Sequence, residues 1–266
     1  MRIVARMQDA KATFIPGLVS ITFRKLSPEQ IVERARAVRL QSIEWGGDVH
    51  VPHGDLDRAR QVAKLTRDAG LAVAAYGSYY RAGGSELEGL PFQRVLATAV
   101  ELGAPTIRVW AGKKGSRDAT GPDRAAIADD LKRIADLAGG AKVTVSLEHH
   151  EGTLTDAIDS HRALLDAAPQ VKTLWQPPHE ESVEHNLASL RAVLDRLTNV
   201  HVFHWDPRTK EKHPLRNGAA KWRQYLDVIR THGGTRHVLL EFLRNDDPEQ
   251  LPEDAATLVQ WIAEAK

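Results

Sequence analysis

One pattern recurs eight times along the chain and leaves little freedom in how it can fold: a short β-branched or apolar run, then a longer segment of helical period. LVSITF (18–23) precedes SPEQIVERARAV, SIEW (42–45) precedes LDRARQVAKLTRDAG, LAVAAY (71–76) precedes PFQRVLATAVELG, and TIRVW (106–110) precedes DRAAIADDLKRIADLAGG. VTVSLE (143–148) precedes TDAIDSHRALLDAA, VKTLWQ (171–176) precedes SVEHNLASLRAVLDRL, VHVFHW (200–205) precedes AKWRQYLDVIRTHGG, and HVLLEF (237–242) precedes PEQLPEDAATLVQWIAEA. Strands that read as near-continuous apolar runs belong to a parallel sheet buried on both faces. Eight such units, with no linker or low-complexity break between them, predict an α/β fold: a (β/α)8 TIM barrel, single domain, over 1–266. The rival, a doubly wound open sheet, usually has fewer strands and often a Gly-rich first turn, which this chain lacks. Helix boundaries carry their own marks. Ser27 followed by Pro28, then Asp55, Thr155 and Ser182, stand where N-caps belong, and Gly70 stands where a helix stops.

Composition narrows the function classes. A formal net charge of +1 supplies no field that would draw the chain to nucleic acid or to an anionic membrane. The absence of cysteine excludes disulfides and thiolate metal sites, and fits a reducing, cytoplasmic setting. The first residues have scattered charges and no apolar core of signal-peptide length, and no window approaches the roughly 18 apolar residues of a membrane span.

In such a barrel the chemistry gathers at the C-terminal ends of the strands. Strand five ends at Glu148, strand six at Gln176 in TLWQPPH (173–179), strand seven carries His204, and strand eight ends at Glu241. Taken singly, a Glu after an apolar strand is most often the first solvated residue, and a His there a satisfied core group. Together they are harder to dismiss, because two carboxylates and an imidazole buried in one mouth without a cation repel and desolvate each other. The donor set suits one divalent ion, Mn²⁺, Mg²⁺, Co²⁺ or Zn²⁺. Gln176 either takes a coordination position through its carbonyl or only hydrogen-bonds a neighbouring ligand. Trp45, Trp110, Trp175 and Trp205 also fall at strand ends, where indole rings wall a ligand pocket or simply pack beneath loops. Tyr79 and Tyr80 in GSYYRAGG are placed to form a lid.

These residues resemble the sugar-phosphate isomerase/epimerase family with the xylose isomerase-like barrel, which includes tagatose and psicose 3-epimerases and inosose isomerases. The resemblance runs over nearly the whole chain and is strongest in SIEWGG, RVWAG (108–112), LEHHEGTLTD (147–156) and the ends of strands six to eight. It implies one divalent ion held by Glu148, Gln176, His204 and Glu241. The family's Asp-x-x-His on strand six stands here as Gln176-Pro177-Pro178-His179, so the shell carries two negative charges instead of three. It further implies proton abstraction beside a carbonyl through an enediolate, with Glu148 and Glu241 as the acid/base pair and His179 on a substrate oxygen. Substrate contacts are also expected from Glu44, Trp110, His150, Trp175 and Trp205. Arg208 and Lys210 lie in the loop where the family places an arginine for a terminal hydroxyl or phosphate. The expected ligand is a sugar or sugar phosphate and the expected assembly a homodimer or homotetramer, with no nucleic acid or membrane partner. Two alternatives stay open on the same scaffold: a keto-sugar lyase, dehydratase or deglycosidase that expels a β-leaving group after the same first step, and a non-catalytic sugar-binding barrel.

Overall fold

A computed structural model describes residues 11–178, 182–206 and 208–265. Its strands are β1 (Thr13–Val19), β2 (Ser42–Gly46), β3 (Ala72–Arg81), β4 (Thr106–Trp110), β5 (Thr144–Glu148), β6 (Lys172–Trp175), β7 (Leu197–Val202) and β8 (Thr235–Leu240). They pair in chain order as a closed barrel, with β1 parallel to both β2 and β8. Closure leaves no unpaired sheet edge among the described strands. The outer layer is α1 (Pro28–Ala37), α2 (Leu56–Asp68), α3 (Phe92–Leu102), α4 (Gly121–Gly140), α5 (Ile158–Ala167), α6 (Val183–Val193), α7 (Ala219–Arg230) and α8 (Leu251–Glu264). Among the described residues no helix is long and apolar enough to cross a membrane.

Two strands differ from the sequence expectation in ways that matter. β1 begins at Thr13, and Ser20–Phe23, expected as strand, forms a 3₁₀ turn over the barrel mouth. Pro16 and Gly17 look like breakers, yet a Cβ added at Gly17 would lie 2.5 Å from the Ser42 carbonyl oxygen and 2.6 Å from Leu239. Glycine is what allows β1, β2 and β8 to approach there. β7 runs over Leu197–Val202 rather than 200–205, so its C-terminal end carries His201 and leaves His204 in the following loop.

The caps follow the sequence at three of four positions. Ser27 closes a capping box with Gln30, Asp55 accepts from the Arg58 amide, and Ser182 accepts from the His185 amide. Thr155 does not cap α5, whose N-cap is Ala157. Its hydroxyl instead donates to the Glu148 carbonyl oxygen at 2.6 Å and accepts from the His150 amide at 3.1 Å. That pair of bonds pins the chain where β5 leaves the barrel. Trp45, Trp175 and Trp222 are wholly buried in the apolar layer of barrel and helices, whereas Glu44 is buried between Arg108 and His201 and pairs with both.

Candidate active site

The centre is built from the ends of β2, β4, β5, β7 and β8. Glu148, His201 and Glu241 are buried and each offers one ligand atom, all within 4.8 Å of one another. Glu44 ties the group to β2: its Oε2 lies 3.0 Å from His201 Nε2, and its Oε1 accepts from Arg108 Nε at 2.9 Å. A carboxylate only accepts, so Nε2 carries the proton and Nδ1 is turned toward the other two acids. Nδ1 sits 3.1 Å from Glu241 Oε2 and 3.9 Å from Glu148 Oε1, yet makes no well-directed hydrogen bond among the described residues. An imidazole nitrogen facing two carboxylates is stable only with a proton or a metal ion between them. The set fits a divalent cation, with Glu44 holding the histidine tautomer as carboxylates behind metal-bound histidines do.

The charges are strongly coupled. Burial disfavours the charged form of every group, but the neighbours override it. Burial alone would lower His201, yet Glu241 and Glu44 raise it to about 10. Burial alone would raise Glu148, yet Arg108 and His201 pull it down to about 2. Glu44 is likewise held below the usual carboxylate range by His201 and Arg108 against its own burial. Arg108, 2% exposed, also ion-pairs with Glu148 through Nη1. Trp110 Nε1 donates to the same Glu148 Oε2, while Gln176 Nε2 donates to Oε1 at 3.1 Å.

Gln176 therefore acts here as a donor. Its Nε2 also donates to the His149 carbonyl oxygen at 2.9 Å, and that acceptor settles which end of the amide faces Glu148. Above the centre the mouth has an aromatic wall. The Tyr79 ring lies 4.9 Å from the Arg108 guanidinium and edge-on to Trp110, and its hydroxyl accepts from Arg24 at 3.0 Å. Tyr79 (φ 56°) and Phe242 (φ 52°) both hold left-handed backbone at this rim, a conformation that side chains of this size rarely adopt without a local demand. Both pack on a small apolar cluster of Val19, Ile21, Ala74 and Leu239. Beside the centre, and touching it through Gln176, lies a chamber of about 780 Å³ lined by His149, His150, Asp156 and Ser116 among others.

The expected site residues divide accordingly. Glu148, Gln176, Glu241 and Glu44 converge, with Trp110 on Glu148 and His150 tilted against Trp110 at 4.6 Å. His204 does not join them. It lies in the loop beyond β7, its ring 5.8 Å from that of His213, and burial together with Lys221 lowers it to about 4. The place expected for His204 is taken by His201. Trp175 is also displaced: its indole donates to Ser189 at 3.1 Å and packs on Trp222 and Tyr225, between barrel and helices. Trp205 packs on Phe242 at the rim. Arg208 is exposed, with its amide on Asp206, and exposed Lys210 reaches Glu151 at 3.8 Å. His179 lies outside the described residues. Tyr80 is no lid: it is buried, donating to Asp130 at 2.9 Å. Arg108 and His201 were the residues the sequence reading missed. Each is a polar residue inside an otherwise apolar strand, flanked by Ile107 and Val109 or by Val200 and Val202, and that placement marks a side chain turned into the barrel.

Comparison with known proteins agrees with this architecture. No curated protein matches the sequence. The probable 3-DHS dehydratase AsbF from Bacillus anthracis is 20% identical, with 93% of this chain and 99% of that chain covered at a TM-score of 0.75. A D-allulose 3-epimerase from Methylomonas sp. is 16% identical over 96% and 100% of the two chains, with a TM-score of 0.68. A xylose isomerase-like TIM barrel protein from Mycobacterium smegmatis, in complex with magnesium, is 16% identical over 91% of each chain, with a TM-score of 0.63. At these identities the likeness is one of fold. The sequence itself matches the xylose isomerase-like TIM barrel model over residues 32–265, and the chain belongs to that family.

Proposed function

We propose that the protein is a divalent-metal-dependent isomerase or epimerase of a sugar or sugar phosphate, working by proton abstraction beside a carbonyl. The observation that carries this reading is the convergence of Glu148, His201 Nδ1 and Glu241 within 4.8 Å in a barrel mouth. When bound, the ion would polarise the substrate oxygens and favour the enediolate. Glu148, Glu241 and His201 would hold it. The two acids are not equivalent. Both Glu148 oxygens already accept hydrogen bonds, and its low pKa makes it a poor base. Among the described residues the one ion pair of Glu241 is with His201, so Glu241 is the group that takes up the proton and Glu148 the one that stays ionised. Tyr79 and Trp110 would cover the sugar's apolar face and exclude water.

Elimination is the second reading. It needs the same abstraction followed by loss of a β-leaving group, and a similar fold is described as a probable dehydratase. One experiment separates the two: Mn²⁺-loaded protein with a panel of ketoses, keto-inositols and their phosphates in D₂O. Deuterium incorporation beside the carbonyl is expected, reduced at least about 100-fold in Glu148→Gln and in Glu241→Gln. Release of a leaving group would instead mark elimination. No exchange across the panel contradicts both.

A further inference from the structure

We infer that Arg108 is a resident counter-cation of this centre: its guanidinium neutralises one of three buried carboxylates, so the chain folds without the divalent ion and holds that ion less tightly than the same shell would alone. The inference rests on the reading of Glu148, His201 and Glu241 as a cation site.

Three acids, Glu44, Glu148 and Glu241, are each no more than 4% exposed and are linked through Arg108 and His201. With His201 neutral, as it must be to hold an ion, three carboxylates and one guanidinium leave two negative charges, the number that one divalent ion balances. Arg108 reaches one carboxylate on each side, Glu44 through Nε and Glu148 through Nη1, while Nη2 is buried with no partner among the described residues. The guanidinium leaves one donor unused, under the Tyr79 ring at 4.9 Å, yet lies between two acids, the placement that charge compensation requires. The backbone reserves the space. A Cβ added at Gly77 would lie 2.7 Å from Arg108 Nη2 and 2.9 Å from Glu44 Oε1, so a side chain at 77 would have to push one end of the ion pair aside. Because Arg108 bonds directly to the ligand Glu148, its charge repels an incoming cation at short range.

The test is calorimetric Mn²⁺ titration and thermal melting of wild type, Arg108→Met, Glu44→Gln and the double variant Glu44→Gln/Arg108→Met, each stripped of metal and reloaded. Stripped wild type should give a cooperative melt. Stripped Arg108→Met should melt roughly 10 °C lower, since an unpaired buried acid is left behind. It should recover more on Mn²⁺ addition than wild type does, and bind Mn²⁺ at least about tenfold tighter. Glu44→Gln loses the carboxylate behind His201 and should bind Mn²⁺ more weakly than wild type; the double variant differs from it only in lacking the guanidinium, and should bind at least about tenfold tighter than Glu44→Gln. A purely structural arginine would not tighten ion binding when removed. Wild-type melting and affinity in Arg108→Met would overturn the inference, as would unfolding of wild type on chelation. Should Arg108→Met not fold even with Mn²⁺, a double variant that binds the ion no tighter than Glu44→Gln overturns it. A wild type that takes up no Mn²⁺ removes the cation-site reading itself, a separate failure.

Discussion

At the scale of single residues, the centre is governed by which nitrogen of His201 carries a proton. Its folded value of about 10 stands above the ordinary 6.5, so without an ion Nδ1 is protonated at neutral pH. An ion binding there must displace that proton. Apparent Mn²⁺ affinity should therefore rise about tenfold per pH unit as pH increases toward about 10, and level off above it, with one proton released per ion. Calorimetry in buffers of different ionisation enthalpy measures that proton, and a flat profile would place the ion elsewhere. Much of this centre was legible in sequence: Glu148 and Glu241 end or directly follow their strands and were readable from the end of an apolar run. His201 and Arg108 lay inside such runs, where a polar residue is easily passed over as a local exception. Gln176 was legible as a departure but not as a donor, because its role is set by the His149 carbonyl, which only the folded loop brings near.

At the scale of elements, alternation fixed the number and order of strands, while their ends depended on tertiary partners. β1 was misread because Pro16 and Gly17 discourage a strand assignment, although the register of Thr13–Leu18 against Thr235–Leu240 is continuous. Gly17→Ala should destabilise the chain by about 2 kcal/mol, seen as a lower urea midpoint with unchanged slope. β7 was misread because VHVFHW offers two histidines three residues apart, and the strand stops at Val202 before the second. Thr155 shows a local rule overridden by a neighbour: it has the chemistry of a cap but bonds the end of β5. Thr155→Val leaves the Glu148 carbonyl and His150 amide without that partner. It should cost about 1–2 kcal/mol in denaturant melts and weaken Mn²⁺ binding, whereas loss of an N-cap alone would leave the ion affinity unchanged.

At the scale of the whole molecule, a closed barrel lets separate segments of the chain meet at one point, and its buried histidines give it an acid limit. Burial lowers His149 to about 4 and His161 to about 3, from an ordinary 6.5. Both stay neutral in the folded chain and gain a proton on unfolding, so stability falls as pH drops from about 6.5 toward those values. The slope is about 1.4 kcal/mol per pH unit for each, and above 6.5 neither adds any. Urea melts at about pH 6.5 and 5 should differ by at least 2 kcal/mol. The central claim, that β5, β7 and β8 aim Glu148, His201 and Glu241 at one ion, is tested most directly by the Mn²⁺ stoichiometry of His201→Ala beside His204→Ala. The account predicts one ion per chain in wild type and in His204→Ala, with affinity lost at least about 100-fold in His201→Ala. Retention of the ion in His201→Ala, or its loss in His204→Ala, would contradict it.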